Sequence, residues 1–208
     1  MKQYILDWKK LLATIILAAL LWFFSFYLHW GIFWFKIAIS ALILAGTSLA
    51  LQSSTHLRFS LNWRNICIGI FSAILLYLIF WAGKSISTAI LPFAAEQVGQ
   101  IYGKGKGTST WVIVLLLFFV TGPCEEIYWR GCLQQQLSNR LGTLLGWVLA
   151  SAIYAGVHIF SGNFMLVGAA GVAGAYWGGM YCLFEDISPV IISHALWSTF
   201  IFAVMPVP

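Results

Sequence analysis

Charged side chains are scarce in this sequence. Asp, Glu, Lys and Arg make up 8% of the 208 residues, whereas hydrophobic residues make up 61%. Ordinary soluble domains carry about 25% charged residues, so a soluble fold could not cover this much apolar surface. The composition therefore predicts a single integral membrane domain over residues 1–208.

Several motifs are also missing, and each absence removes a class of function. The Lys and Arg residues are spread over connections and the N-terminus and form no basic surface of the kind that binds nucleic acid, so we expect no nucleic-acid partner. The run GKGKG at 103–107 lacks the phosphate-loop pattern G-x-x-x-x-G-K-[ST], and we interpret residues 93–110 as a flexible external loop. The four cysteines lack CxxC spacing and are expected to pack as small buried hydrophobes.

What the sequence does contain is a series of long apolar segments. About 20 residues cross a bilayer, and six or seven segments are long enough to do so. We expect these segments at about 11–28, 32–51, 66–90, from 111 onward, 143–160, 164–184 and from 189 to the C-terminal tail. The predicted fold is all-α, a polytopic transmembrane bundle of about seven to eight helices.

The basic residues predict the orientation of the chain. They cluster in the N-terminus and in the connection 52–65, as Lys2, Lys9, Lys10, His56, Arg58 and Arg64. Positively charged connections stay in the cytoplasm, so the N-terminus and this connection are both predicted to be cytoplasmic. The aromatic residues from Trp22 to Trp30 are expected to form an interfacial belt, and Glu185 and Asp186 are expected in a solvated turn.

The most unusual segment is 121–132, where three ionisable side chains follow an apolar run. Ionisable groups at membrane depth cost about 3 kcal/mol or more and persist mainly where they act in catalysis or transport. Positions four apart share a helix face, so Glu126 can pair with Arg130. Glu125 points about 100° away from Glu126 and can face a cavity as a general base for water. Pro123 predicts a break or bend just before both glutamates.

Two histidines in later apolar segments extend this polar set. His158 follows Tyr154 by one helical turn, and His194 precedes Ser198 by one turn. His194 and Ser198 on one face can donate hydrogen bonds to a developing oxyanion. Depth counting raises a difficulty, because simple spans would leave His158 near the membrane face opposite the end of the fourth segment. The glutamates and His158 can meet only if one segment is broken, tilted or longer than drawn.

The order Glu-Glu-x-x-x-Arg, aromatic-x-x-x-His and His-x-x-x-(small polar) resembles the CPBP family, which comprises the CAAX proteases and the bacteriocin-processing or Abi proteins. The resemblance covers about residues 111–198, which we interpret as a catalytic core. Three positions depart from the family pattern. Trp129 stands where the family usually has Phe, and Tyr154 stands where it often has Phe. Ser198 stands where the family usually has Asn or Asp. A serine hydroxyl reaches less far than an amide, so the last departure bears on substrate class and activity.

The resemblance implies an intramembrane glutamic protease that uses no cofactor. By this resemblance Glu125 and His158 activate the attacking water, and His194 and Ser198 stabilise the oxyanion. Glu126 and Arg130 orient the site. The substrate would be a protein or peptide with a membrane-anchored, lipidated, leader or sorting-tail segment, cut near the membrane surface. The family includes myxosortase-like bacterial members, and the small size of this chain fits a prokaryotic plasma (inner) membrane protein. The sequence carries no signal for the oligomeric state.

Four alternatives stay open at this point. Glu125, His158 and His194 could form a two-His-one-carboxylate zinc site, although the sequence contains no His-Glu-x-x-His. Cys124 could act as a nucleophile beside His158. The chain could also be a non-catalytic immunity or scaffold protein that keeps the motif for packing. A transporter with a proton relay is disfavoured, because the hydropathy pattern shows no internal repeat.

Overall fold

The computed structural model describes residues 5–52 and 57–206. Lys2 and His56, which entered the orientation argument, lie outside the described residues. The described parts of the chain form eight helices and contain no strand. The predicted all-α polytopic bundle is confirmed.

The helices follow one another with short connections. They are α1 (Trp8–Phe26), α2 (Phe33–Leu51), α3 (Trp63–Ile90), α4 (Ala94–Gly103), α5 (Thr110–Leu141), α6 (Thr143–Val157), α7 (Phe164–Phe184) and α8 (Ser188–Thr199). A 3₁₀ turn continues α6 to Ser161, and a π-helical turn continues α8 to Val204. By length and apolar composition α1, α2, α3, α5, α6 with its 3₁₀ turn, and α7 can each cross a membrane. The chain is an integral membrane protein.

Helix α5 is continuous where a break was predicted. Two π-helical turns, Leu117–Thr121 and Trp129–Gln134, flank the α-helical segment Gly122–Tyr128. Pro123 lies in the first turn of that segment, where the wider π turn before it accommodates a residue that lacks an N–H. Of the break or bend predicted at Pro123, the break is therefore wrong, because the helix passes through the motif without ending.

The length of α5 removes the difficulty of depth. With 32 residues the helix is about 48 Å long at 1.5 Å per residue, so it extends beyond a hydrocarbon core of about 30 Å. Gly142, with φ of 86°, turns the chain from α5 into α6. Glu125 and His158 lie at nearly equal separations along the chain from Gly142, and the two side chains therefore reach the same level of the bundle. The sequence predicted a segment that is broken, tilted or longer than a simple span, and the structure shows the long segment in α5.

The predicted external loop 93–110 is mostly helical, which corrects the sequence interpretation. Helix α4 occupies Ala94–Gly103 and docks on the start of α7 through Gln97. The Gln97 carbonyl accepts a hydrogen bond from Asn163 Nδ2 at 2.8 Å, and the Gln97 side-chain oxygen accepts one from the Met165 N–H at 3.0 Å. These tertiary bonds stabilise a segment whose composition alone favours a loop.

Small residues allow α6 and α7 to approach closely beside the motif. A Cβ atom on Gly174 would lie 2.9 Å from Tyr154 Cδ1, and one on Gly178 would lie 2.6 Å from Trp147 Cδ1. The predicted glycine face of the sixth span thus does make close helix contacts at these two positions. Gly168, on the same helix, has open space around it.

Asp186 is buried, whereas a solvated turn was predicted for it and for Glu185. Its carboxylate accepts hydrogen bonds from the Ser60 hydroxyl, from Asn65 Nδ2 at 3.1 Å and from the Ser188 N–H at 2.9 Å. Burial by itself would raise the pKa of Asp186, but the hydrogen bonds from Ser60 and Ser188 hold it below its ordinary value. The connection before α8 is therefore tied to the residues that lead into α3, while Glu185 stays exposed.

The cysteines differ in burial, which corrects another expectation. Cys132 is buried, but Cys124 and Cys182 are only half-buried and Cys67 is exposed. Cys67 lies on an exposed face of α3.

Candidate active site

One cavity joins residues from all eight helices of the described chain. Its volume is about 410 Å³, and its walls are mostly apolar side chains. Its polar lining residues from α5, α6 with its 3₁₀ turn, and α8 are Thr121, Glu125, Tyr154, His158, His194 and Ser198, and Lys84, Ser87, Tyr102 and Lys104 line other parts of it. Four of the six predicted site residues therefore line one cavity, although they come from three different helical segments.

Glu125 faces this cavity from the α-helical segment between the two π turns of α5. The side chain is buried, and Tyr154 donates its hydroxyl to Glu125 Oε2 at 3.1 Å. The structure records no hydrogen bond to the other carboxylate oxygen among the described residues. Glu125 is thus a buried carboxylate with one oxygen held in place and the other available to a ligand.

Glu126 and Arg130 lie behind the cavity and do not line it. Arg130 donates from one guanidinium nitrogen to Glu126 Oε1 at 2.8 Å and from another to the Gly174 carbonyl at 3.1 Å. The guanidinium also sits over the rings of Tyr154 and Trp177, at 5.1 and 5.6 Å from their centroids. This ion pair is the one that the four-residue spacing predicted, and the hydrogen bond from Arg130 to the Gly174 carbonyl joins α5 to α7.

His194 is fixed by two neighbours. Its Nδ1 lies 2.6 Å from Glu126 Oε1, and its ring stacks on Trp177 with 3.9 Å between centroids and 17° between planes. The contact with Glu126 and the stack on Trp177 together fix the orientation of the ring. His194 also lines the cavity. The sequence had given Glu126 an orienting role through Arg130 alone; its contact with His194 is a finding of the structure.

His158 lines the same cavity, but both of its ring nitrogens already have partners. Nδ1 lies 2.7 Å from the Tyr154 carbonyl, and Nε2 accepts a hydrogen bond from Trp22 Nε1 at 3.2 Å. A carbonyl oxygen can accept but not donate, so Nδ1 carries the proton of this ring, and Nε2, which accepts from Trp22, carries none. In this arrangement His158 has no lone pair left for a water molecule.

Trp22 is the contact that sequence reasoning missed. It was assigned to an interfacial belt, yet it is fully buried and packs edge-on against Trp129 and His158. Its position in an aromatic-rich helix end gave no pattern that distinguishes it from Phe23 or Phe24. Only the tertiary packing of α1 against α6 identifies it.

Ser198 completes the group with weaker constraints. Its hydroxyl is buried and donates to the Ala195 carbonyl at 3.4 Å, a long bond that a ligand oxygen could replace. Thr121, one turn before Glu125, has a buried hydroxyl without a hydrogen-bond partner in the described structure. The cavity lining thus includes the hydroxyl groups of Thr121 and Ser198, and both can form hydrogen bonds with a ligand.

Two alternatives from the sequence can be compared with these positions. Among residues 5–52 and 57–206, no three His, Cys, Asp or Glu side chains are grouped in a way that could hold a metal ion. Cys124 does not line the cavity in which His158 and Glu125 lie.

Comparison with known proteins agrees with the resemblance seen in the sequence. Residues 107–200 match the family described as Rce1-like, Type II CAAX prenyl endopeptidase Rce1-like. No curated protein and no solved structure is significantly similar to the chain. The match confirms the predicted CAAX-protease family for the part of the chain that forms the candidate site. It also supports a membrane-embedded protease in general terms, while the myxosortase-like subtype stays a prediction.

Proposed function

We propose that this chain, as a membrane protein of that endopeptidase family, hydrolyses a peptide bond inside the cavity with Glu125 as the general base. The observation that carries the proposal is the convergence of Glu125, His194 and Ser198 on one buried cavity. Each comes from a helix that other contacts fix in place. A carboxylate, an imidazole and a hydroxyl at one buried surface supply both a base and hydrogen-bond donors.

The chemistry follows from which atoms face the cavity. Glu125 takes a proton from water while the water oxygen adds to the carbonyl carbon of the scissile bond. The resulting oxyanion accepts hydrogen bonds from His194 and from the Ser198 hydroxyl. Collapse of the tetrahedral intermediate breaks the C–N bond, and the Glu125 carboxyl returns its proton to the departing amine. No covalent bond to the protein forms.

Glu126 and Arg130 support this reaction from behind. The Glu126 carboxylate faces His194 Nδ1, which leaves Nε2 as the ring nitrogen that can serve the cavity. When both ring nitrogens carry protons, the Nε2–H is the group that donates to the oxyanion. Arg130 balances the charge of Glu126 and anchors it to α7. We therefore keep both residues as orienting groups that do not touch the substrate.

The role of His158 needs one rearrangement. To share in activating water, His158 Nε2 must lose its hydrogen bond from the Trp22 N–H and accept one from the water molecule instead. If this exchange does not occur, His158 only helps to fix the position of the Tyr154 backbone. Glu125 is the base in either case.

The apolar cavity wall favours a hydrophobic substrate segment. A lipidated peptide, a membrane anchor or an apolar leader would bury its side chains there and bring one peptide bond to the polar wall. The substrate class proposed is therefore a membrane-anchored or lipidated protein, cut in or next to the bilayer.

One observation favours a second candidate. Arg130 and His194 both contact Glu126 Oε1, and Trp22 donates to His158, without any ligand. Such contacts would also serve a non-catalytic immunity or scaffold protein, although Glu126 Oε2 is buried without a partner in the described structure. That function leaves Glu125 unexplained, because a buried carboxylate facing an apolar cavity is costly to keep.

The test uses the purified protein in liposomes with a panel of lipidated, tail-anchored and leader peptides, read by product mass. We expect the wild type to cleave at least one class with EDTA present, Glu125→Gln to cleave none, and the matched control Glu96→Gln to behave as wild type. Glu96 is an exposed carboxylate on α4 outside the cavity. Loss in EDTA with recovery on adding Zn²⁺ would instead identify a metalloprotease. No cleavage by any variant would favour the scaffold.

A further inference from the structure

Tyr154 is the residue through which both members of the candidate water-activating pair are connected. Its hydroxyl donates to Glu125 Oε2 at 3.1 Å, and its carbonyl oxygen lies 2.7 Å from His158 Nδ1. The side chain lines the cavity and is buried. One residue of α6 therefore holds the carboxylate of α5 and the imidazole of its own helix at a fixed separation.

The ring of Tyr154 is held from three directions. Trp129 packs edge-on at 5.0 Å between centroids, the His158 ring at 5.0 Å, and the Arg130 guanidinium lies 5.1 Å from the ring centroid. On the fourth side Gly174 leaves no room for a Cβ atom against Tyr154 Cδ1. A phenol fixed in this way keeps its hydroxyl aimed at Glu125.

This hydrogen bond has a direct consequence for the carboxylate. A carboxylate that rotates freely can present either oxygen, or both, to a ligand, whereas one whose Oε2 accepts from a fixed phenol presents Oε1 in a single orientation. Preorganised geometry of this kind removes the need to orient the base during the reaction. The sequence resemblance places Phe at this position in many relatives, and a Phe ring would pack alike but would leave Glu125 Oε2 without this donor.

We propose that Tyr154 is a positioning residue whose hydroxyl fixes the Glu125 carboxylate so that Oε1 faces the attacking water. Tyr154 is thereby a determinant of turnover in this chain. The proposal rests on the proposed function of Glu125 as the base. Tyr154 acts through Glu125 and need not touch the substrate.

The chain offers a matched control in Tyr128. Tyr128 is also fully buried, also packs edge-on against Trp129, at 4.7 Å, and also donates its hydroxyl to a buried oxygen, Thr14 Oγ1 at 3.3 Å. Tyr128→Phe therefore removes an equivalent buried hydroxyl without touching Glu125.

The kinetic experiment compares Tyr154→Phe and Tyr128→Phe with wild type on a peptide that the wild type cleaves. We expect Tyr154→Phe to lower kcat about ten- to a hundredfold with KM nearly unchanged, since one hydrogen bond to a charged group is lost at the base and none at the substrate. Tyr128→Phe should keep kcat within about twofold. A kcat for Tyr154→Phe equal to that of wild type, or an equal loss in Tyr128→Phe, would overturn the proposal.

An infrared measurement reports the contact without relying on turnover. The carboxyl band of Glu125 is identified by its disappearance in Glu125→Gln, and we expect this band to shift in Tyr154→Phe but not in Tyr128→Phe. A band that does not move would overturn the inference even if catalysis by Glu125 holds. A wild type that cleaves no peptide would contradict the proposed function, and with it the kinetic role of Tyr154, so the two failures are distinguishable.

Discussion

At the scale of single residues, the two adjacent glutamates occupy different environments. Glu125 faces the cavity and accepts one hydrogen bond from a neutral phenol, whereas Glu126 is fully buried and accepts from Arg130 and His194 through one oxygen. The geometry of an α-helix explains the difference, because neighbouring side chains diverge by about 100°. One carboxylate is thus available for chemistry and the other belongs to the scaffold of the site.

This difference predicts that a Glu→Gln substitution lowers mainly the stability at position 126 and mainly the cleavage rate at position 125. Glu126→Gln leaves the buried Arg130 guanidinium without a counter-charge, and we expect a loss of about 3–5 kcal/mol in the free energy of unfolding. Glu125→Gln breaks no ion pair and should leave stability within about 1 kcal/mol of wild type while slowing cleavage by about 10²- to 10⁴-fold. Thermal denaturation in detergent measures both. A Glu126→Gln protein as stable as Glu125→Gln would contradict the assignment.

Much of this residue-level arrangement was predictable, and the reasons are local. The Glu126–Arg130 pair follows from helical spacing, and the polar character of His158 and His194 in apolar segments marked them as site candidates. Trp22 and the Tyr154 hydroxyl were not predictable as site contacts. Their partners lie in other helices, and nothing in the local pattern distinguishes a buried aromatic residue from one in an interfacial belt.

At the scale of helices, the site depends on close packing of α6 against α7. Gly174 is a close point beside the site and has two roles: its missing side chain admits the Tyr154 ring, and its carbonyl accepts a hydrogen bond from Arg130. Gly171, one turn earlier on α7, makes only an ordinary contact, since a Cβ atom there would lie 3.7 Å from the Ala155 Cβ.

We therefore expect Gly174→Ala and Gly171→Ala to differ in activity. The added methyl group at 174 must displace the Tyr154 ring and with it the hydroxyl that holds Glu125, so cleavage should fall at least about tenfold. The methyl group at 171 fits, and alanine is the better helix former by about 1 kcal/mol, so activity should persist with equal or higher stability. Equal activity of the two variants in the liposome assay would show that the α6–α7 contact does not control the site.

Helix α5 shows which element-level features a sequence hides. Its apolar run and its polar continuation were both recognised, but Pro123 predicted a break or bend. The break is absent because a π-helical turn precedes the proline, and such a turn has no reliable sequence signal. The helical state of residues 94–103 was missed for a similar reason, since it depends on hydrogen bonds between Gln97 and the start of α7.

At the scale of the whole molecule, the site extends beyond the segment that matches the family. Residues 107–200 supply the catalytic candidates, but α2 and α3 line the cavity and α1 contributes Trp22. The N-terminal helices are thus part of the site and not only a membrane anchor. The predicted cytoplasmic N-terminus stays a prediction.

The contact from α1 leads to a test of the role of His158. Trp22→Phe removes the N–H that occupies His158 Nε2 and keeps an aromatic ring in the core. If His158 shares in activating water, we expect kcat to rise by a few-fold, because the lone pair becomes available, while the smaller ring lowers stability by about 1–3 kcal/mol.

Trp129→Phe is the matched control for that test. The Trp129 ring packs against Trp22, and its buried Nε1 finds no acceptor within the described part of the chain. Trp129→Phe should lose packing without changing the hydrogen bond at His158 Nε2. Because Trp129 also packs against the Tyr154 ring, a loss of kcat that both variants share is assigned to packing. A fall of kcat in Trp22→Phe that Trp129→Phe does not share would instead assign Trp22 and His158 a purely positioning role.

The central claim is that a water molecule activated by Glu125 hydrolyses the substrate. Its most direct test is the cleavage rate of wild type and Glu125→Gln in H₂¹⁸O with EDTA present, with the mass of the new carboxyl terminus as the readout. We predict that the wild-type product gains one ¹⁸O and that Glu125→Gln slows its formation by about 10²- to 10⁴-fold, the usual contribution of a general base. A labelled product that forms at the same rate in Glu125→Gln would contradict the account.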